Sequence, residues 1–374
     1  MNAPPSRWFP HGDLAFEAML AAINSATTSV RLETYIYTDS DLGRKFRTAL
    51  TNAAARGVKV RVLVDAWGAM ALPNNFWEPL MAAQGEWLHF NPLSLEQLAF
   101  RDHRKMLICD ERIAFVGGRN ITPDNEGDGV RAGWRDLGIQ LDESFAQRLA
   151  KAFDHMFAHA STRHQMLARV RRPRTRLTVP VPDGQILLSG PGRGRNAIRR
   201  TLIRDLEAPK EVAIVAAYFV PDRALRRRLF KAARHGARVR LILPSKTDVP
   251  MIRLASQSLY ARLLRAGAEV YEYQPQILHT KLIVVDGACY VGSSNLDARS
   301  LQSNYELMVR LTDKETVDGA LAVFEDHLVH CVPVTKAEWH KSRGLWQRLK
   351  ERWSAFVVNK LDPWLTRRQL RYLR

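Results

Sequence analysis

Short apolar runs alternate with amphipathic stretches along most of the chain. The runs Leu32–Tyr37 and Val212–Val220 have the length of buried strands. Arg56–Asp65 and His235–Pro244 each follow a helical stretch, and each carries a glycine where that helix can end before a strand. Helices alternating with apolar strands predict an α/β fold in which helices cover both faces of a sheet.

This pattern occurs twice. Tyr35 and Tyr218 hold matched positions in the upstream strands, where they could line a site or lie in the core. Downstream, HRKMLICD begins at His103 and HTKLIVVD begins at His279, an offset of 279 − 103 = 176 residues. A period of this size predicts two homologous halves related by a pseudo-two-fold. We expect each half to be a mixed, mostly parallel sheet flanked by helices, to which the hairpin that carries the histidine motif adds antiparallel strands.

Prolines and arginines gather near the middle of the chain, between residues 171 and 187. Such a stretch is typical of a boundary between domains. We therefore predict a first domain over residues 1–170 and a second over residues 185–335. Residues 336–374 form a separate tail.

The repeated motif carries groups that can act on phosphorus. On a strand, His103 and Lys105 would share a face, whereas Asp110 lies seven positions on and would face away or lie in the turn. The second copy has the same three residue types: His279, Lys281 and Asp286. A neutral imidazole can attack phosphorus while a lysine balances the phosphoryl oxygens. Two copies would put two histidines on one phosphate, one as nucleophile and one as proton donor.

The H-x-K-x-x-x-x-D pattern, present twice, resembles the phospholipase D superfamily, and the resemblance covers the chain to about residue 330. It implies two phospholipase D-like halves that share one active site. The family motif continues with G-[SG]-x-N, which is present here as Gly292-Ser293-Ser294-Asn295 and as Gly117-Gly118-Arg119-Asn120. Gly118 stands where the serine would be, which would remove one hydroxyl donor to the phosphate.

The same resemblance implies roles for the residues around the histidines. Asp136 would orient His279 and Glu306 would orient His103, each across the two halves. The resemblance also assigns phosphate binding or histidine orientation to Asn120, Asn295 and Ser293. The motif aspartates belong to the catalytic signature, but strand parity favours a structural role for them. Glu33 has no charged counterpart in the second half, where Ala216 takes its place.

Composition and charge narrow the class of protein. Hydrophobic residues make up 46% and charged residues 25% of 374 residues, as in ordinary soluble globular proteins. Lys plus Arg is 56 and Asp plus Glu is 38, so the net charge is +18 and indicates a polyanionic partner, either nucleic acid or an anionic membrane. Three scattered cysteines indicate neither a disulfide framework nor a zinc site. We find no apolar run of membrane-spanning length and no signal peptide, and expect the chain to stay where it is made.

The tail has the features of a helix that lies on a membrane surface. Residues 341–374 contain ten Lys or Arg and two acids, Glu351 and Asp362. Apolar residues recur at helical spacing, and we expect that helix to end near Leu361. They are Trp346, Leu349, Trp353, Phe356 and Val357. Basic residues lie between them, which is typical of interfacial helices. The alternative is a helix that docks on the second domain through the same apolar stripe.

Within the superfamily, the order of motifs is most similar to bacterial cardiolipin synthases of the type lacking N-terminal transmembrane helices. The shared segments include LETYIY, RGVKVRVLVDAWG, WRDLGIQL and SNYELMV. This resemblance implies a phosphatidyl transferase that makes cardiolipin from two phosphatidylglycerol molecules, with release of glycerol and a phosphohistidine intermediate. His103 would be the nucleophile and His279 the acid, then the base. No cofactor or metal would be needed, because the lysines supply positive charge. The expected location is the cytoplasmic face of a bacterial cell membrane, bound peripherally to anionic phospholipid, with no obligatory nucleic acid.

Three other functions stay open. A phospholipase D-type hydrolase would use water as acceptor, and a different acceptor lipid such as phosphatidylethanolamine is equally compatible with the motifs. A nucleic-acid phosphodiesterase would need aromatic stacking platforms along a basic groove. A non-enzymatic lipid-binding scaffold would tolerate loss of His103.

Overall fold

The chain is organised around two β-sheets, one in each half of the sequence. The computed structural model describes residues 6–91, 100–161, 177–191, 196–341 and 343–358. Each sheet carries helices on its faces, and each contains one copy of the repeated motif. The predicted α/β class with two homologous halves is confirmed.

The first half contains twelve named elements in the described residues. They are β1 (Arg7–Phe9), α1 (Gly12–Ser25), β2 (Ser29–Thr34), α2 (Asp41–Ala55), β3 (Lys59–Asp65), α3 (Glu78–Ala82), β4 (Glu86–Phe90), β5 (Met106–Cys109), β6 (Ile113–Gly117), a 3-10 turn (Pro123–Asn125), β7 (Gly138–Leu141) and α4 (Glu143–Ser161). Its strands lie in the order β1-β7-β6-β5-β2-β3-β4.

The second half repeats this plan and extends it at both edges. Its elements are β8 (Thr178–Val181), β9 (Gly184–Ser189), α5 (Ala197–Asp205), β10 (Glu211–Ala216), α6 (Arg223–Arg234), β11 (Arg238–Pro244), α7 (Pro250–Ala266), β12 (Glu269–Tyr273), β13 (Lys281–Val285), β14 (Ala288–Gly292), α8 (Ala298–Gln302), β15 (Glu306–Leu311), α9 (Lys314–Leu328), β16 (Cys331–Pro333), α10 (Lys336–Lys341) and α11 (Leu345–Phe356). The strand order is β16-β12-β11-β10-β13-β14-β15-β9-β8.

The strand directions differ from our expectation of mostly parallel sheets. Strands β2, β3 and β4 are parallel, as are β10, β11 and β12. Every other pairing between the described strands is antiparallel. The expectation of mostly parallel pairing is therefore wrong. Helix–strand alternation signals only the three strands joined by crossovers, whereas the motif strands form the antiparallel hairpins β5–β6 and β13–β14, as predicted.

Matched glycines end matched helices, as the sequence predicts. Gly57 after α2 and Gly236 after α6 have φ of 87° and 91°, a left-handed conformation that favours glycine. The helix starts are capped by side chains: Ser40 accepts from the Gly43 amide, and Asp222 accepts from two amides of α6. The strands that follow, β3 and β11, end beside the functional site.

A shared hydrophobic core joins the halves. It contains buried residues of both sheets, such as Val116 and Val309, together with α4 and α9. Two further cores lie beneath the other helices, one in each half. The stretch 171–187, which we predict as the boundary, contributes β8 and part of β9 to the second sheet, while residues 162–176 lie outside the described residues.

Candidate active site

The two histidine segments bridge the halves before their strands begin. The amide of His103 donates to the Tyr305 carbonyl at 2.9 Å, and the Tyr305 amide donates to Arg101 at 2.9 Å. We had expected His103 and Lys105 to lie on a strand. Because β5 starts at Met106, both residues instead precede it. The segment is extended all the same, but it pairs with the opposite half.

The second motif makes the same bridge in the reverse direction. The His279 amide donates to the Arg135 carbonyl at 2.7 Å, and the Arg135 amide donates to Ile277 at 2.8 Å. Here the strand β13 begins at Lys281, again after the histidine. Each histidine is therefore tied by its backbone to the residue preceding the acid of the other half, which brings both motifs together.

Each imidazole meets a carboxylate from the opposite half. Nδ1 of His103 lies 3.0 Å from Oε2 of Glu306, and Nδ1 of His279 lies 2.6 Å from Oδ2 of Asp136. This is the crossed arrangement that the resemblance implies. An ionised acid on Nδ1 fixes the tautomer with the proton on that nitrogen, so Nε2 is the nitrogen that can attack or, when protonated, donate.

The two lysines fold back onto their own histidines. Nζ of Lys105 donates to the His103 carbonyl at 2.8 Å. Lys281 donates to the His279 carbonyl and lies 2.9 Å from the ring Nδ1. Each lysine also lowers the pKa of the opposite histidine, which places all four groups in one electrostatic cluster.

Burial sets the protonation states of this cluster. It lowers the pKa of His103 to about 4, with Glu306 opposing and Lys105 adding to the shift. Burial also lowers the pKa of His279, aided by Lys281. The pKa of Lys105 falls to about 7 for the same reason, although Glu306 opposes the fall. At neutral pH the histidines of the free protein are neutral, as a nucleophile must be.

The two orienting acids have different surroundings. Ser293 donates its hydroxyl to Oε2 of Glu306, the same oxygen that meets His103. Gly118, at the matched position, faces the carboxylate of Asp136, and a Cβ there would lie 2.3 Å from Oδ1. The missing side chain of Gly118 thus makes room for Asp136, a role that the motif alone does not reveal. Burial alone would raise the pKa of Asp136, but Lys281 and His279 hold it at about 2.

The motif asparagines are buried beside the histidine segments. Oδ1 of Asn120 accepts from the Ile36 amide at 3.1 Å, which leaves its amide nitrogen as a donor. Oδ1 of Asn295 has no partner among the described residues. The amide N–H groups of Asn120 are donors that suit contact with a phosphate oxygen, whereas the unpaired Asn295 atom is an acceptor.

The motif aspartates lie away from the histidines, in the turns after the motif strands. Asp110 accepts from the amides of residues 27–29 at 2.8–3.2 Å. Asp286 accepts from the amides of Lys210 and Glu211 at 3.0 and 2.9 Å. Both residues have positive φ, 55° and 48°. They fasten the motif hairpin to the start of β2 or β10.

Glu33 has a partner that the sequence comparison did not reveal. Its buried carboxylate accepts two hydrogen bonds from the Arg104 guanidinium, from Nε at 2.5 Å and from Nη2 at 2.8 Å. Arg104 lies between His103 and Lys105, and its side chain anchors that segment from behind. In the second half Ala216 and Thr280 replace the pair, and the Thr280 hydroxyl donates to the Arg135 carbonyl at 3.0 Å. The charges at these two positions of the repeat change together between the halves, but only the contact shows that the two residues form a pair.

Aromatic rings from the first half flank both histidines. The Tyr35 ring lies 5.0 Å from His103, and Trp134 lies 5.2 Å from His279. Lys105 sits over Tyr35 at 5.4 Å. The other matched tyrosine, Tyr218, donates its hydroxyl to Asp248 at 2.5 Å. Of the two readings of Tyr35, the structure therefore favours a place beside the site.

Comparison with known proteins identifies the family. The family model described as "Cardiolipin synthase, PLD-like domain" matches residues 19–157 and 202–328. The chain belongs to this family. It is an enzyme of the phospholipase D superfamily, a phosphatidyltransferase.

Curated relatives and solved structures extend the match. Cardiolipin synthase 1 of Bacillus cereus is 32% identical over 91% of this chain and 69% of its own length. Cardiolipin synthase A of Pseudomonas aeruginosa is 32% identical over 91% of this chain and 70% of its own length. The crystal structure of phosphatidylserine synthase from Haemophilus influenzae superposes with a TM-score of 0.74, 13% identity and coverage of 98% and 96%, and so shares the fold.

Two further features concern the part of the chain that the structure describes. No helix among them is long and apolar enough to cross a membrane. Nor do the described His, Cys, Asp and Glu side chains form a group of three that could hold a metal ion.

Proposed function

We propose that this enzyme transfers a phosphatidyl group from one phosphatidylglycerol to a hydroxyl of a second, giving cardiolipin and glycerol. The observation that carries the proposal is the crossed pairing of each histidine with an acid of the other half. That pairing holds two imidazoles with Nε2 available in one cluster, as in-line displacement at phosphorus requires. The similarity to cardiolipin synthases supplies the substrate class.

In the first step Nε2 of His103 attacks phosphorus and forms a P–N bond. The P–O bond to glycerol breaks, and His279, protonated at Nε2, gives its proton to the departing oxygen. His103 has the more exposed side chain of the two, 12% against 6%, which supports its assignment as the nucleophile.

In the second step His279, now neutral, takes the proton from a hydroxyl of the acceptor lipid. The hydroxyl oxygen attacks phosphorus, the P–N bond breaks and His103 is regenerated. Lys105, Lys281 and the two motif asparagines bind the phosphoryl oxygens. A bound phosphodiester also raises the pKa of the buried His279, because a negative charge beside it favours the imidazolium.

The test uses purified protein with vesicles of phosphatidylglycerol. We expect cardiolipin and glycerol in equal amounts by mass spectrometry, with neither product from the His103→Ala variant. Phosphatidic acid without cardiolipin would assign hydrolase activity instead. Cleavage of DNA or RNA without lipid products would assign a nuclease.

We further propose that the enzyme works at the surface of an anionic membrane, which it contacts through α11. This helix packs against α7. The side that faces the protein is polar: Glu351 and Ser354 are buried, and Glu351 pairs with Arg343 at 3.0 Å. The large apolar residues point outward, each more than half exposed: Leu345, Trp346, Leu349, Trp353 and Phe356.

The outward apolar face argues against the docked-stripe alternative. A helix that docks for stability buries its apolar side, whereas α11 buries an ion pair and presents two tryptophans. Arg348, Lys350 and Arg352 are exposed on the same helix and would meet anionic headgroups. The predicted helix end near Leu361, and Trp364, lie outside the described residues.

We expect Trp346→Ala with Trp353→Ala to weaken binding to anionic vesicles at least about tenfold, measured by flotation. The matched control removes two exposed apolar side chains elsewhere, Val329→Ala with Val332→Ala, and should bind normally. The loss should persist at high salt, because apolar burial is not screened as charge attraction is. Unchanged affinity of the tryptophan variant would exclude this face as the contact.

A further inference from the structure

Two matched loops carry exposed apolar residues beside the active site. After β3, Trp67 and Met70 are 44% and 62% exposed. After β11 and its loop, Met251 lies in the first turn of α7 and is 45% exposed. Both loops follow equivalent strands, so the pseudo-two-fold places them around the same site. We call Trp67, Met70 and Met251 the apolar rim.

The first loop is tied directly to the histidine segment. Asp65, at the end of β3, accepts from the Asp102 amide at 2.8 Å and from the Trp67 amide at 3.0 Å. The Arg101 guanidinium lies 4.7 Å from the centre of the Trp67 ring. Arg101 is two residues before His103, so Trp67 stands at the edge of the catalytic segment.

The same loop also packs against the ring that flanks the nucleophile. A Cβ at Gly68 would lie 2.0 Å from the Tyr35 carbonyl, so the backbones are in close contact. Tyr35 in turn contacts His103. Only glycine permits this approach, which ties the loop that carries Trp67 and Met70 to the backbone of Tyr35.

The second loop reaches the other lysine. Asp248, three residues before Met251, accepts from the Tyr218 hydroxyl. Burial lowers the pKa of Lys281, and the negative charge of Asp248 is close enough to oppose that fall. The start of α7 therefore borders the His279 side of the site, and α11 packs on the same helix.

We infer that the apolar rim dips into an anionic phospholipid bilayer, so that the phosphodiester enters the site from the membrane while its acyl chains stay in it. The inference rests on the proposed lipid substrate. Charge supports this occupant, since the net charge is +18 and Arg101 lies against the rim tryptophan. Exposed Trp and Met side chains beside cationic ones suit the headgroup region of a bilayer.

The direct test places a fluorophore on the rim. Met70→Cys, labelled with an environment-sensitive dye, should shift to the blue when vesicles of phosphatidylglycerol are added to the full chain. The matched control is Met81→Cys. Met81 is 54% exposed on α3 and contacts Trp87 near the start of β4, whereas the site lies at the other end of the parallel strands. The unsubstituted chain, carried through labelling, corrects for its natural cysteines.

The functional arm replaces the rim by alanine at all three positions. We expect this variant to lose at least about tenfold in rate on vesicles and to keep its rate on soluble short-chain phosphatidylglycerol. Equal blue shifts at both labelled positions, or no shift at position 70, would contradict insertion of the apolar rim into the bilayer. So would unchanged activity of the triple variant on vesicles, or an equal loss on both substrates.

These outcomes separate the rim from the proposed function. If the wild-type chain makes no transfer product from either substrate, the transferase proposal fails, while the dye at position 70 still reports whether the rim enters lipid. A shift with DNA but not with vesicles would assign the surface to nucleic acid.

Discussion

The two halves present the same histidine and lysine but support them differently. In the first half the histidine is oriented by Glu306, whose carboxylate accepts a hydrogen bond from the Ser293 hydroxyl. In the second half the orienting acid is Asp136, one methylene shorter, and Gly118 leaves the space that its carboxylate occupies. The His–acid contact is thus built twice with compensating parts.

The anchors behind the motifs differ in the same paired way. Arg104 and Glu33 form a buried ion pair in the first half, and Thr280 with Ala216 replace both charges in the second. In each case two positions change together. The lesson is that the repeat conserves the geometry of the reacting groups, while acid length and anchor chemistry vary as matched pairs.

The largest expected effect comes from removing either histidine. His103→Ala and His279→Ala should each lower kcat by about 10⁴-fold or more, and the double variant should be no worse, because the pair acts as a unit. Steady-state assays with phosphatidylglycerol vesicles measure this, and circular dichroism checks the fold. Near-normal turnover of either single variant would contradict the shared site.

The next effect tests the compensating parts. Gly118→Ala should lower kcat by about 10²-fold or more, because its Cβ displaces Asp136 from His279. Ser293→Ala removes only one hydrogen bond to Glu306 and should cost about tenfold or less.

A swap sharpens this result. Adding Gly118→Ser to Asp136→Glu copies the pair of the other half and should recover part of the activity lost by Gly118→Ser alone. If Gly118→Ala and Ser293→Ala are equally mild, the two acids do not depend on these neighbours.

The anchors predict an effect on stability. Glu33→Ala should lower the free energy of unfolding by about 3–5 kcal/mol, because it leaves the Arg104 charge buried and unpaired. Glu33→Ala with Arg104→Thr copies the second half and should lose less than the single variant. Urea unfolding measures both. A double variant at least as unstable as the single would show that the two positions are not a matched pair.

The smallest effect concerns pH. The pKa of Lys105 is about 7, so its positive charge is present below that pH and is lost above it. The pKa of His103 is about 4, so the neutral nucleophile is lost only below that pH. We expect kcat/KM to be highest between these values and to fall on the alkaline side. Lys105→Arg should weaken the alkaline fall, and an unchanged profile would remove Lys105 from that role.

Much of the fold and of the site was accessible from the sequence. The repeat, the α/β class, the matched glycines and the identity of both motifs follow from local patterns and from the offset of 176 residues between the histidines. Strand direction was predicted poorly, because apolar runs carry no sign of the neighbour they pair with.

The compensations were not accessible because they depend on contacts across the chain. In the sequence, Gly118 indicates only a lost hydroxyl. The structure shows that Asp136, 18 residues later, occupies the space that a side chain at Gly118 would fill. Glu33 reads as an unmatched charge until Arg104 is seen beside it. The sequence shows that the α11 helix has an apolar stripe. It does not show which side of the helix faces the protein, because that depends on the Arg343–Glu351 pair.

The division of labour between the histidines is tested most directly with an activated phosphodiester whose leaving group, p-nitrophenolate, needs no proton. With His279→Ala, Nε2 of His103 can still displace p-nitrophenolate, but no base activates the acceptor. We predict a burst of about one equivalent of p-nitrophenolate and a phosphoryl adduct on the peptide that contains His103, detected by mass spectrometry. His103→Ala should give neither burst nor adduct. An adduct on His279, or a burst from His103→Ala, would contradict the assignment.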